Sequence, residues 1–526
     1  MALGLAPLAR LVNAGFVLAR EGVFSLLPPE DMPATARLLV GIARLIERRG
    51  VKRKDAAQRV TEALNRLGPS YVKLGQFLAT RADLIGDEAA AELAKLQDQV
   101  PPVPDAEAYQ AIEAALGRPI SDLYETIGSC VAAASIAQVY RATVKGPDGA
   151  QRSVAVKVLR PGVARRFAKD LESFYIAAGL IERFVKSSRR LKPTAVVDTL
   201  AESVNFEMDL RLEAAALSEM AENIRNDPGF RVPVVDWPRT AKTVLTMEWI
   251  NGIKLSNVAQ LRASNLDLEK IAETVLQSFL RHAMRDGFFH ADMHQGNLKV
   301  APDGTVVAVD LGITGRLSKA ERGFLAEILY GFIRRDYRKV AAIHFKAGYV
   351  PSDQDVDQFA QALRAIGEPI RDQTAKDIAM SRLLTQLFEV TELFQMATQT
   401  QLIMLQKTMV VVEGVARTLD PKLDIWKTAE PVVRQYLADE LGPAARLRTA
   451  NDSIQAIGRL IAELPAFATR LERVSADLER IGEKGVDLSA RTIERLAPPH
   501  AAASVSRQLA LWLAAISLAV IAFGLI

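Results

Sequence analysis

The stretch 290–297 reads HADMHQGN, and DLG follows at 310–312 after the β-like run TVVAV at 305–309. Asp292 and Asn297 have the spacing of the segment H-R-D-x-x-x-x-N, and Asp310 lies thirteen residues beyond Asn297. Phosphoryl transfer requires one carboxylate near the acceptor oxygen and further oxygen ligands for the Mg²⁺ that bridges the phosphates. Asp292, Asn297 and Asp310 can supply this set.

The same stretch allows a second interpretation, a zinc site. His290 and His294 are four residues apart, Asp292 lies between them, and His282 is close in sequence. Zinc accepts imidazole nitrogen, and two histidines at this spacing meet when a helix places them on one face. Because Gly296 and Asn297 follow at once, a loop is favoured here, and with it the magnesium and phosphate interpretation.

Upstream, residues 132–139 read AAASIAQV, which overlays on G-x-G-x-x-G-x-V with alanine at every glycine position. Small residues let backbone N–H groups approach phosphates, but alanine disfavours left-handed conformations and adds a methyl group. We therefore expect a stiffer and narrower loop than one built from glycine. Taken alone, this stretch is more typical of a small-residue packing strand.

Residues 154–157 read VAVK, a β-like run that places Lys157 near its end. A lysine there can pair with the α- and β-phosphates of a nucleotide while a carboxylate of the next helix holds it. A lone lysine at a strand end is usually solvated, so the signal is weak alone. All three signals in this order are specific for nucleotide binding.

The pattern along the chain is typical of a two-lobed α+β fold. Helical periodicity runs from about 32 to 98, and prolines at 101, 102 and 104 interrupt it. The β-like runs 131–143, 153–159 and 243–250 follow. The chain is then mostly helical to about 440, apart from a predicted hairpin at 298–310 around Asp303-Gly304.

From roughly residue 60 to 430 the chain resembles the UbiB family of atypical protein-kinase-like proteins. The resemblance rests on four motifs: the KxGQ motif Lys73-Leu74-Gly75-Gln76, the alanine-rich loop, the ExD motif Glu207-Met208-Asp209, and the segment 290–297, near the family form H-A-D-x-H-x-G-N. The chain departs from the family at Cys130-Val131, where Pro-Ile is common, at Tyr140, where His is common, and at Leu311, where Phe is usual.

The resemblance implies a bilobal protein-kinase-like fold with an N-terminal helical extension over the usual protein-substrate cleft. It implies that Asp292, Lys157 and Glu213 are catalytic, with Lys157 paired to Glu213, and that Asn297 and Asp310 hold magnesium. The residues it implies at the nucleotide are Lys73, Gln76, Val131, Ala132, Ala133, Ala134, Ser135, Ile136, Ala137, Gln138, Val139, Lys157, Glu207, Asp209, Met247, Glu248 and Ile250. Met247 would line the adenine pocket, with 248–250 as the hinge.

The carboxylates of the ExD region can be separated by helical geometry. On one straight helix, Glu207 and Glu213 would point about 120° apart, since each residue turns about 100°. We therefore expect different partners, Glu213 for Lys157 and Glu207 for Lys73. Asp209 would diverge from Glu207 in the same way unless a helix starts there.

The last eighteen residues, 509–526, contain no charged residue. As a helix they would span about 27 Å, marginally enough for a hydrocarbon core of about 30 Å. Arg507 precedes them, so the positive-inside rule places the body in the cytoplasm. A buried core helix is the alternative. We expect an amphipathic helix at the N-terminus, either on the membrane or packed on the body, and no cleaved signal peptide.

These observations predict six segments. They are a helical N-terminal region (1–60), a helical extension with the KxGQ motif (61–125), a kinase-like N-lobe (126–250), a helical C-lobe (251–440), an amphipathic region (441–508) and a transmembrane anchor (509–526).

Composition excludes several classes of protein. Hydrophobic residues make up 49% and charged residues 24%, so global disorder is excluded. The net charge of +4 is mild for 526 residues and predicts no nucleic-acid partner, although it suits an anionic membrane surface. The single cysteine, Cys130, excludes an intrachain disulfide and a cysteine-cluster metal site.

The leading hypothesis is a membrane-associated atypical kinase or ATPase of the bacterial cytoplasmic membrane. It would bind Mg·ATP and hydrolyse it, or transfer phosphate to a small or lipidic acceptor, in support of ubiquinone biosynthesis. The partners expected are membrane lipids, prenylated quinone precursors and other ubiquinone-biosynthesis proteins. A protein Ser/Thr kinase regulating the pathway and a non-catalytic nucleotide-gated scaffold stay open as alternatives.

Overall fold

Helices form the N-terminal part of the chain. The computed structural model describes residues 5–26, 41, 43–48, 56–79, 93, 101–146, 148–184, 192–372, 390, 393–396 and 400–441. The first helices are α1 (Leu5–Arg20), α2 (Ala56–Leu67) and α3 (Pro69–Ala79). Helix α1 buries Leu11, Ala14 and Leu18, whose spacing of three and four places them on one stripe.

Helix α1 packs on the body of the protein through α6 (Val163–Phe184). The Arg10 guanidinium donates to Ser173 Oγ at 3.1 Å and pairs with Glu172 at 2.9 Å. Of the two positions expected for an N-terminal helix, the structure therefore shows packing on the body.

A four-stranded antiparallel sheet follows two helices, α4 (Asp105–Leu116) and α5 (Ile120–Leu123). Its strands are β1 (Thr126–Ala133), β2 (Ala137–Lys145), β3 (Gln151–Leu159) and β5 (Val244–Glu248), in the order β1-β2-β3-β5. The run 131–143, expected as one strand, is a hairpin that turns at 134–136. Alanines carry none of the usual turn signals of glycine, asparagine or proline, so this turn is not visible in the sequence.

The two faces of this sheet pack against different parts of the chain. Side chains alternate along a strand, so Val154, Val156 and Val158 share one face and pack with Ile112 of α4. Ala155 and Leu159 share the other face and belong to the main core, which extends into the helical part. Lys157 lies between them in sequence and therefore points toward the helical part.

Two helices lie between β3 and β5 besides α6. These are α7 (Pro193–Glu207) and α8 (Leu210–Asn223). Asp209 caps the N-terminus of α8 by accepting the backbone N–H of Arg211. The helix breaks at 208–209, so Glu207 and Glu213 do not lie on one straight helix. The assumption of a single helix, from which their directions were predicted, is therefore wrong.

The rest of the described chain is mainly helical. Its helices are α9 (Val258–Ala263), α10 (Leu268–Arg281), α11 (Lys319–Arg334), α12 (Tyr337–Lys346), α13 (Val356–Asp372), α14 (Thr400–Leu419) and α15 (Ile425–Leu441). Helix α10 is buried through Ile271, Val275 and Phe279, and it contacts both α14 and α15. It forms the centre of this part of the molecule.

Short strands lie beside α10 and support the loops that carry Asp292 and Asp310. They are β4 (Phe230–Arg231), β6 (Ile253–Lys254), β7 (Phe288–His290), β8 (Leu298–Val300), β9 (Val306–Ala308) and β10 (Thr314–Arg316). Strands β8 and β9 form the hairpin predicted at 298–310, and Gly304 adopts a φ of +85° in its turn.

The expected fold class requires a correction, because it included a C-terminal transmembrane helix. In the part of the chain that the structure describes, no helix is both long and apolar enough to cross a membrane. Helices α6 and α14 have 22 and 20 residues, but charged side chains interrupt them, such as Asp170 in α6 and Glu413 in α14. The expected anchor at 509–526 and the amphipathic region at 441–508 lie outside the described residues, except for Leu441.

Candidate active site

Lys157 occupies the centre of the candidate site. It lies on β3, opposite Val139 of β2 and Leu245 of β5. Its ammonium donates to both carboxylate oxygens of Glu213, at 2.8 and 2.9 Å, and to Asp310 Oδ2 at 2.8 Å. One cation thus joins the sheet, helix α8 and the loop after β9.

The electrostatics of this cluster follow from burial and from two carboxylates sharing one ammonium. Burial alone would lower the pKa of Lys157, but Asp310 and Glu213 outweigh it and raise the pKa above its ordinary value. Burial raises the pKa of Glu213 to about 7 against the attraction of Lys157. Asp310 is more exposed; burial acts to raise its pKa, but Lys157 and the backbone N–H of Gly312 hold it below its usual range. Lys157 favours the ionised form of both carboxylates, and burial opposes it at each of them.

The segment 290–297 forms a closed loop between β7 and β8. The backbone N–H of Asp292 donates to His290 Nδ1 at 3.2 Å, and Asn297 Nδ2 donates to the Asp292 carbonyl oxygen at 3.1 Å. The backbone N–H of Val309 donates to the Asn297 carbonyl at 2.9 Å. Since Val309 precedes Asp310, this bond ties the loop of Asp292 to the carboxylate that contacts Lys157.

The oxygen atoms of Asn297 and Asp310 fit a magnesium ion by their chemistry. Asn297 uses its amide nitrogen on Asp292, so its amide oxygen points away from that bond. Carboxylate and amide oxygens are the hard ligands that Mg²⁺ takes, and phosphates and water complete such sites.

The histidines are used in other ways than the zinc interpretation requires. His282 is buried, with Nε2 3.7 Å from Asp227 Oδ2, and His290 Nδ1 accepts the N–H of Asp292. Burial lowers the pKa of His290, which suits its role as an acceptor. Within the described ranges, no three His, Cys, Asp or Glu side chains form a group that could hold a metal ion.

A second ion pair joins the KxGQ and ExD motifs. Lys73 Nζ of α3 lies 2.6 Å from Glu207 Oε1 at the end of α7, and both side chains are mostly buried. Gln76 lies three residues after Lys73 on α3, hence on the same face of the helix. The pairs Lys73–Glu207 and Lys157–Glu213 agree with the pairing expected from the sequence.

Asp209 is separated from these pairs. Its carboxylate caps α8 and accepts two bonds from the Arg211 guanidinium, at 2.8 and 2.6 Å. Asp209 therefore starts a helix, which is the one case in which Asp209 and Glu207 were not expected to diverge as on a single helix.

The alanine-rich loop is anchored by residues that the sequence argument did not select. Arg160 donates from Nε to the Ala134 carbonyl at 2.9 Å and from Nη1 to the Pro101 carbonyl at 2.8 Å. Gln138 is buried; it donates to the Tyr140 hydroxyl at 2.7 Å and accepts the N–H of Val103. The Gln138 side chain is therefore structural, and its backbone belongs to the sheet, where Gln138 pairs with Ala133 of β1 and Val158 of β3. The role of Arg160 has no signal in the sequence because its acceptors are backbone carbonyls.

The hinge residues lie at the end of β5. Met247 is buried on the core face of the sheet with Ala137 and Ala155. The side chain of Glu248 pairs with Arg231 at 2.8 Å, and Ile250 packs in a small cluster with Ala301 and Val307. Of the three, Met247 is the one whose side chain shares a face with Lys157.

Fold and site together define an atypical protein-kinase-like protein. A family model described as the ABC1 atypical kinase-like domain matches residues 95–344, and one described as the UbiB helical domain matches 363–424. A curated relative, "Probable protein kinase UbiB" of Marinobacter nauticus, is 38% identical over 454 residues, which cover 85% of this chain and 82% of the relative. The chain belongs to the UbiB family.

A solved structure, that of the Rv3197–erythromycin complex from Mycobacterium tuberculosis, is also similar. It is 26% identical and has a TM-score of 0.49, and the match covers 72% of this chain and 95% of that one.

Proposed function

We propose that this UbiB-family protein binds Mg·ATP between the sheet and the helical part and either hydrolyses it or transfers its γ-phosphoryl group to a small or lipidic acceptor. The observation that carries the proposal is the contact of Lys157 with both Glu213 and Asp310, beside the Asp292–Asn297 pair. A phosphate-binding lysine, a metal-binding carboxylate and amide, and a carboxylate for the acceptor are the groups that phosphoryl transfer uses.

Lys157 must exchange a partner to bind phosphate. An ammonium has three N–H donors, and here Glu213 accepts two and Asp310 accepts one. Release of Asp310 leaves Lys157 held by Glu213 and turned toward the α- and β-phosphates. The carboxylate of Asp310 is then available, with the amide oxygen of Asn297, to hold Mg²⁺, which neutralises phosphate charge when it is bound.

Asp292 is the proposed catalytic aspartate. Its side chain is partly exposed, and the bond from Asn297 to its carbonyl fixes its backbone. It would accept the proton of the acceptor hydroxyl or of a water molecule. The alanine-rich loop, fixed by Arg160, would cover the phosphates through its backbone N–H groups.

The pathway and the acceptor follow from family membership and from the helical extension. We propose a role in ubiquinone biosynthesis at the bacterial cytoplasmic membrane, with prenylated quinone precursors and pathway proteins as partners. The Lys73–Glu207 pair holds the extension against the α7–α8 break. This placement supports a small or lipidic acceptor over a peptide. We also propose the six segment boundaries that the sequence predicts.

The test is phosphate release by the purified protein with Mg·ATP, with and without anionic vesicles and a phenolic quinone precursor. We expect Asp292→Asn to lower the rate about 100-fold, since a positioned general base contributes at least that much. Asp303→Asn, in the exposed β8–β9 turn, is the matched control and should behave as wild type. An unchanged rate in Asp292→Asn contradicts the proposal.

The same variant separates the alternatives. Phosphorylation of added protein, lost in Asp292→Asn, would support a protein kinase. Quinone synthesis that persists in cells carrying Asp292→Asn would support a nucleotide-gated scaffold.

A further inference from the structure

Helix α14, from the UbiB helical domain, touches the segment that carries Asp292. The Thr408 hydroxyl lies within hydrogen-bond distance of two backbone carbonyls, that of Ala291 at 2.9 Å and that of Met404 in its own helix at 2.8 Å, and Thr408 is 1% exposed. Ala291 directly precedes Asp292. Leu405 and Val412 of α14 lie in the same core as Phe289 and Met293, so packing on both sides fixes the register of this contact.

Lys407 lies next to Thr408 and therefore about 100° around the helix from it, at the edge of the buried face. Its side chain is exposed, on the turn of α14 that contacts Ala291 through Thr408. Burial of part of the stem lowers the pKa of Lys407, and the carboxylate of Asp292 acts in the opposite direction. Among the described residues, no carboxylate lies within ion-pair distance of its ammonium.

Among the described residues named in the site so far, no side-chain cation is left over for the transferred group. Segment 290–297 contains no lysine or arginine. Lys157 and Lys73 are already paired, with Glu213 and Asp310 and with Glu207 respectively. The phosphoryl group in transfer carries negative charge on its equatorial oxygens, and cations fixed near it in advance stabilise the transition state.

We propose that Lys407 binds the γ-phosphoryl group on the acceptor side of Asp292, so that the UbiB helical domain completes the active site. This inference rests on the proposed function. In the transfer, the bond between the γ-phosphorus and the bridging oxygen breaks and ADP keeps its electron pair. The acceptor oxygen bonds to phosphorus and gives its proton to Asp292. Lys407 forms no covalent bond; it holds the equatorial oxygens.

The test compares Lys407→Gln, Lys407→Arg and the control Lys427→Gln, an exposed lysine on α15. We measure kcat for phosphate release and the Kd of Mg·ATP and Mg·ADP. Lys407→Gln should lower kcat about 100-fold and weaken the binding of Mg·ATP. The Kd of Mg·ADP should stay within about twofold of the wild-type value, because ADP lacks the γ-phosphoryl group. Lys407→Arg should recover most of the rate, and Lys427→Gln should match wild type.

The inference is overturned if Lys407→Gln weakens the binding of Mg·ATP and of Mg·ADP equally, or if its kcat is unchanged. If wild type binds Mg·ATP but releases no phosphate, the proposed hydrolysis fails, and the ratio of ATP to ADP affinity still decides the role of Lys407. If Lys407→Gln has a lower Tm than wild type, the same measurements are made on Lys407→Met, which keeps the apolar stem. A Lys407→Met variant that prefers Mg·ATP to Mg·ADP by the same ratio as wild type also overturns the inference.

Discussion

At the scale of single residues, a motif that specifies both residue type and spacing predicts Asp292, Asn297 and Asp310 as site residues. Their roles stay a prediction; the structure ties the loops of Asp292 and Asp310 together through Val309. The pairing of Lys157 with Glu213 also agrees with expectation, although the geometric premise of one straight helix was wrong. Arg160 and Thr408 were missed because each binds a backbone carbonyl, which no side-chain pattern specifies.

A buried carboxylate on α14 predicts a pH dependence of stability. Burial raises the pKa of Glu413 to about 7 from about 4.5, despite Arg417 at 2.7 Å. The folded state therefore binds the proton more tightly than the unfolded state, and the contribution of Glu413 to stability falls as pH rises from about 4.5 through about 7. Glu413→Gln removes this loss.

We expect the free energy of unfolding of Glu413→Gln, relative to wild type, to rise by up to about 3 kcal/mol between pH 5 and pH 8. Denaturant titration at both pH values measures it. Glu430→Gln, at a half-buried residue paired with Arg434 on α15, should show no such change. A difference between Glu413→Gln and wild type that is the same at both pH values would refute the assignment.

At the scale of elements, patterns with strong turn signals were predicted and others were not. The β8–β9 hairpin was visible from Asp303-Gly304, where glycine takes the positive φ of the turn. The β1–β2 turn was read as continuous strand because it is built from Ala134, Ser135 and Ile136. The loop is held by the bond from the Ala134 N–H to the Ala137 carbonyl and by the tertiary bonds of Arg160.

Arg160→Gln should therefore loosen the alanine-rich loop. The two carbonyls of Ala134 and Pro101 lose a buried charged donor, at a cost of about 1–3 kcal/mol of stability. We expect faster amide hydrogen exchange at 134–137 and weaker Mg·ATP binding. The control Arg152→Gln removes an exposed arginine of β3, the strand that ends directly before Arg160, and Arg152 pairs with Asp148. Exchange at 134–137 that matches wild type would show that Arg160 does not fix the loop.

At the scale of the whole molecule, the two-lobed α+β organisation follows from the order of strands and helices, and the comparisons confirm the family. The contacts that join distant segments could not be predicted. Arg10 reaches Ser173 and Thr408 reaches Ala291 across more than a hundred residues, and periodicity within each helix gives no information on its partner. The six predicted segment boundaries stay a prediction.

The central claim is that Lys157, Asp310 and Asn297 form a Mg·ATP site, and calorimetry of nucleotide binding tests it most directly. Wild type should bind Mg·ATP more tightly than ATP in EDTA, and a hundredfold excess over Kd should stabilise the fold by about 2.7 kcal/mol. Asp310→Asn should weaken the binding of Mg·ATP at least about tenfold, because one ligand oxygen and its charge are removed. The affinity of this variant for ATP should also depend much less on magnesium. Asp303→Asn should bind as wild type. Equal affinity of wild type and Asp310→Asn for Mg·ATP, or no binding by wild type, would contradict the account.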